Sequence, residues 1–172
     1  MKSLIVSIYI LGLVGMATGI SVWSATEGTI SATVTGRNLS INRTSDGIIA
    51  YGTLNLSATT TTDPSNIPTD TETFNNDGST ARFNIQTSGA TGGTAWSVGA
   101  TAASDTFVHS FTSTTATGWN WQILQTVDTY ETASSSVDAT ANMNIYMKLD
   151  MPTASTDYVQ KTITVTVQAA AP

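Results

Sequence analysis

His109 is the only histidine of the chain, with Asp105 four residues before it and several serines nearby. A Ser-His-Asp hydrolase could be drawn only here. Such a triad is defined by geometry rather than by composition, and no Gly-x-Ser-x-Gly elbow is present to expose a nucleophile. The reading favoured by the residues is a strand histidine facing solvent, with no catalytic residue and no enzyme. The acids Asp63, Asp70, Glu72 and Asp77 are of the type that ligates calcium from loops. They lack EF-hand spacing, and scattered loop acids ordinarily only hydrate, so no metal site and no cofactor are expected. Trp119 and Trp121 share a strand face with Ile123. That pattern reads first as core, and as a sugar-stacking platform if the face is exposed. Asn38-Leu-Ser, Asn42-Arg-Thr and Asn55-Leu-Ser are acceptor sequons, used only where the source glycosylates asparagine.

The composition limits the chemistry further. There is no cysteine, which excludes disulfides, zinc–thiolate sites, iron–sulfur clusters and thiol catalysis. The formal net charge is −6, with 6 basic against 12 acidic residues. Nucleic-acid binding needs a basic stripe that displaces counterions, so that partner class is excluded. Charged residues make up only 10% of the chain while hydrophobic ones make up 40%. Thr, Ser and Asn occupy the difference. This exchange favours strands, because β-branched Thr suits a pleated surface whose outer hydroxyls meet water.

Residues 1–24 read as an address. Lys2 is followed by an uncharged run from Leu4 to Ser24, the pattern of a secretory signal. Val22 and Ser24 are small enough for the −3 and −1 positions of a cleavage site, so the mature chain is expected to start near Ala25. The alternative is a retained anchor, since the run is about long enough to span a bilayer. Gln168–Pro172 adds no apolar tail, so a cleaved product would carry no anchor of its own.

The elements that must position these residues are strands. Alternation or turn flanking marks 29–34, 38–43, 48–56, 71–74, 81–87, 95–98, 106–111, 119–125, 143–149 and 162–167. Ser45-Asp46-Gly47 and Asn75-Asn76-Asp77-Gly78 read as hairpin turns. Met143, Ile145, Met147 and Leu149 alternate with Asn144, Tyr146 and Lys148, giving one buried and one wet face. Met151–Asp157 reads as the loop of a final hairpin, and 57–73 as a long Thr/Pro-rich surface loop. The expectation is an all-β, Ig-like or jelly-roll-like antiparallel β-sandwich over residues 25–172, preceded by a hydrophobic helix.

The leader, the short alternating strand after it and the run Tyr51-Gly52-Thr53-Leu54-Asn55-Leu56-Ser57-Ala58 resemble the start of the TasA and camelysin family of biofilm matrix proteins. The likeness covers about residues 4–58. The chain is poorer in Lys and Glu than that family and lacks a metalloprotease motif. The resemblance implies an exported subunit of an extracellular filament, matrix or cell-surface layer, joined to copies of itself by donor-strand exchange. Thr29, Ile30, Ala32 and Val34 would form the donor strand, just after the cleavage point where a chain end is free to move. The rival expectation is a monomeric adhesin or carbohydrate-binding module whose glycan partner stacks on Trp96, Trp119 or Trp121. A membrane would be met only through an uncleaved leader.

Overall fold

The computed structural model describes residues 33–34, 36–63, 70–113 and 119–172. The chain divides into two units, Met1–Thr35 and Gly36–Pro172, and the fold below is that of the second. Among the described residues it is all-β, with ten strands in two sheets. They are β1 (Asn42–Arg43), β2 (Thr59–Thr61), β3 (Glu72–Asn75), β4 (Ala81–Thr87), β5 (Ser97–Val98), β6 (Thr106–Thr112), β7 (Gln122–Ile123), β8 (Glu131–Val137), β9 (Asn142–Asp150) and β10 (Val165–Ala170).

The larger sheet runs β1-β3-β9-β6-β5, with β2 continuing along β9 and β7 along β6. The smaller sheet is β10-β4-β8. All pairs are antiparallel except β5 with β6. The inner faces meet in a core of Phe83 and Ile85 from β4, Phe111 from β6, Ala133 and Val137 from β8, and Met143, Ile145 and Met147 from β9. These are the positions that period-2 alternation selects. A second cluster joins Ala90, Trp96, Phe107 and Leu149.

The pairing departs from the sequence expectation in several places. Ser45-Asp46-Gly47 is a turn, with Gly47 at φ +76° and Ile48 N–H donating to Asp46 Oδ1 at 3.0 Å. It closes no hairpin, because β1 pairs with β3 instead. The turn after β3 likewise carries the chain from the larger sheet to β4 in the smaller one. Fully buried Asn76 holds that corner by donating Nδ2–H to Val137 O at 2.7 Å and to Ser79 O at 3.0 Å. Gly78 is required beside it, since a Cβ there would lie 2.3 Å from Asn38 O. The expected final hairpin is also absent, because β9 lies in the larger sheet while β10 pairs with β4. β8 has no alternating pattern in the sequence, since Glu131–Val137 is mostly Ser and Thr and turns only Ala133 and Val137 fully inward. Nor is 57–73 simply a surface loop. β2 pairs with β9, and Thr62 is buried with its Oγ1 accepting from Met147 N at 2.9 Å. Residues 64–69 of that segment lie outside the described residues.

The expected leader helix, the cleavage point and Thr29, Ile30 and Ala32 of the expected first strand also lie outside the described residues. Val34 belongs to no strand and is 96% exposed. Among the described residues no helix is long and apolar enough to cross a membrane.

Candidate functional site

The segment Ile48–Leu56, expected as a strand, joins neither sheet, and its Ile48 and Ala50 N–H groups donate to the side chains of Asp46 and Asp70 instead. Its side chains still alternate, with Ile49 and Tyr51 and then Leu54 and Leu56 half-buried between exposed neighbours. Ile49, Tyr51 and Leu54 pack on the two core clusters. Gly52, at φ +72°, breaks the run, a conformation open to glycine at little steric cost. Among the described residues no backbone–backbone hydrogen bond joins 48–54 to another segment. Across from it, β10 is the edge of the smaller sheet, paired on one side only, with β4.

Between this segment and the open edge of β10 lies a groove of about 1360 Å³. Ile145, Met147 and Leu149 of β9 contribute to its lining, as do Ile163, Val165 and Val167 of the last segment. Ile48, Tyr158 and Val159 also line it, although they are 65%, 82% and 52% exposed. Near Trp96, which is buried, Lys161 donates to Gly92 O, Thr94 O and Asp157 Oδ1 and lies 5.1 Å from the Trp96 ring centroid. A hydrogen bond from Lys161 holds the Asp157 carboxyl below the usual carboxylate range.

His109 lies at the bottom of this region rather than in solvent. It is 1% exposed, because both faces of β6 are covered. Its Nδ1 meets Thr87 Oγ1 at 2.9 Å and its Nε2 meets the Tyr51 hydroxyl at 3.0 Å. The Thr87 hydroxyl donates to Ser88 O at 3.3 Å. In the neutral imidazole one of these ring nitrogens donates and the other accepts, and either hydroxyl can take the complementary role. Burial pushes the His109 pKa down to about 4, and burial followed by the charge of Asp70 pushes the Tyr51 hydroxyl up. Both ring nitrogens are thus engaged by neutral hydroxyls. Asp105 points elsewhere, accepting from Thr156 N–H at 2.9 Å and Ser155 Oγ at 3.2 Å. The backbone donor lowers its pKa. The structure therefore does not bring Asp105 and His109 together.

On the outer face of the larger sheet, Trp119 and Trp121 stack at 5.9 Å between ring centroids and 19° between planes. Trp119 is 38% exposed and caps Tyr146 edge-on at 4.9 Å. The expectation that this pair belongs to the core is corrected. So is the expectation that Tyr146 is wet: it is buried, because the 119–121 segment folds over the face that alternation assigns to water. Asn38, Asn42 and Asn55 are all exposed, and Asn55 also lines the groove.

Of the four acids read from the sequence, Asp70 and Glu72 come together with Asp46, whereas Asp63 and Asp77 do not join them. In the sequence Asp46 reads only as a turn residue, because a turn fully explains an Asp-Gly pair. The chain matches no family model, no curated protein and no solved structure.

Proposed function

We propose that the chain is an exported, non-enzymatic structural subunit of an extracellular filament, matrix or cell-surface layer. In this reading each sandwich is completed by the Thr29–Val34 segment of another copy. The observation that carries it is the groove between the free edge of β10 and the segment Ile48–Leu56, which belongs to no sheet, with apolar side chains along its lining. An unpaired edge is a template for an added strand, and main-chain bonds supply the affinity. The alternating Ile30, Ala32 and Val34 supply side chains of the right kind, and burying an Ile or Val contributes about 2 kcal/mol each. A contact of this kind is head-to-tail and does not close, so it propagates as a filament.

The absence of native cysteine permits a direct test. Ala32→Cys and Val167→Cys are made in separate full-length chains, exported, mixed and oxidised. A disulfide-linked heterodimer is expected from the mixture and from neither variant alone. Deleting 25–35 is expected to leave a soluble protein that forms no filaments by negative-stain microscopy. Monomers at every concentration and no cross-link would reject the assignment.

A second reading is favoured by the stacked pair of exposed Trp119 and half-buried Trp121, since flat aromatic faces suit a sugar ring. If the chain stays monomeric and is retarded in a polysaccharide gel, and Trp119→Ala abolishes the retardation, the carbohydrate-binding module replaces the filament.

A further inference from the structure

Asp46, in the turn after β1, Asp70, two residues before β3, and Glu72, the first residue of β3, each place a carboxylate oxygen within 4.8 Å of the other two. Glu72 is only 7% exposed. Its Oε2 accepts from the Ser45 hydroxyl, whereas its Oε1 is buried and has no hydrogen-bond partner. Ile48 N–H donates to Asp46 Oδ1 at 3.0 Å and Ala50 N–H to Asp70 Oδ2 at 3.2 Å. Among the described residues no lysine or arginine forms an ion pair with any of the three, the ion pairs being Lys148 with Asp150 and Lys161 with Asp157. Three carboxylates this close repel one another, and a buried carboxylate oxygen without a partner carries a desolvation cost. A cation removes both penalties.

We infer that Asp46, Asp70 and Glu72 form a Ca²⁺ site that ties the 45–50 turn to β3. The donor set is oxygen only, which selects a hard cation over zinc or copper. The three carboxylates come from two segments about 25 residues apart in sequence, a turn and the entry to β3. Ca²⁺ tolerates irregular geometry and completes its 6–8 ligands with water, while Mg²⁺ demands a near-ideal octahedron. Gly47, Ile48, Ala50 and Glu72 all line the groove, so the ion would also fix one of its walls. The site itself does not depend on what occupies the groove.

The test uses the exported full chain stripped with EDTA and then titrated with CaCl₂ or MgCl₂ up to about 10 mM, the range of weak extracellular sites. At a Ca²⁺ concentration a hundredfold above Kd, the melting temperature is expected to rise by about 5–10 °C, and less with Mg²⁺. Glu72→Gln and Asp70→Asn are expected to lose most of that rise, and Asp77→Asn to keep it. In EDTA, Glu72→Gln should melt no lower than the parent chain, because it removes one of three like charges, whereas a merely structural Glu72 would lower the melt in both conditions. Should a variant fail to fold, Tb³⁺ luminescence sensitised by nearby Tyr51 and competed by Ca²⁺ decides on the parent chain alone. No Ca²⁺-dependent rise and no competed Tb³⁺ signal, or an equal rise in Glu72→Gln, would overturn the site. Filament formation is scored separately, so loss of assembly without loss of Ca²⁺ binding rejects only the subunit reading.

Discussion

Ile145→Asp is expected to leave no folded protein at room temperature. Ile145 is 1% exposed and sits mid-way along β9 among Phe83, Ile85, Phe111 and Met147. The substitution removes a packed side chain and puts a carboxylate in its place with no partner. Together these cost about 5 kcal/mol or more, comparable with the whole stability of a domain this size. The informative comparison is Tyr146→Asp, one residue on and facing the other way. Alternation alone makes that change harmless, but Tyr146 is 4% exposed beneath Trp119. A loss of about 3 kcal/mol is therefore expected, in line with truncation of a buried aromatic. Circular dichroism and denaturant melts measure both. If Tyr146→Asp melts like the parent chain, Trp119 does not cover this face in solution.

The second large effect is a pH dependence centred on His109. Its folded pKa is lowered to about 4 from the ordinary value of 6.5, with burial as the cause. The unfolded chain therefore binds the proton more readily than the folded one between those two values. The stability associated with the neutral ring is complete above pH 6.5 and is lost as pH falls towards 4. Its size is about 3 kcal/mol. Asp105 and Asp157, whose pKa values are also lowered, lose their contributions in more acid solution than this window. Denaturant melts stepped from pH 7.5 to 4 should show the decline. His109→Gln should be less stable at pH 7, because the Thr87–His109–Tyr51 hydrogen bonds are disturbed, yet nearly flat across the window. An unchanged slope in that variant would show that another group carries the dependence.

The sequence by itself determined the class of fold and the inner faces of its long strands. Phe83 and Ile85, and Met143, Ile145 and Met147, lie in the core where period-2 alternation puts them, because the pleat sends neighbours to opposite faces whatever the strand pairs with. Tertiary structure alone decided which strands pair and what covers each face. Two turns that look like hairpins close none, since turn chemistry fixes a local reversal but not the sheet that the next strand joins. Tyr146 and His109 are buried by segments distant in sequence, Trp119 over one and Tyr51 beside the other, and no local pattern encodes such cover. The same holds for both candidate sites. The groove exists because Ile48–Leu56 joins neither sheet, and the acid cluster exists because a turn at Asp46 returns to β3. Each depends on where remote backbone is absent or present, and that is settled only when the chain is folded.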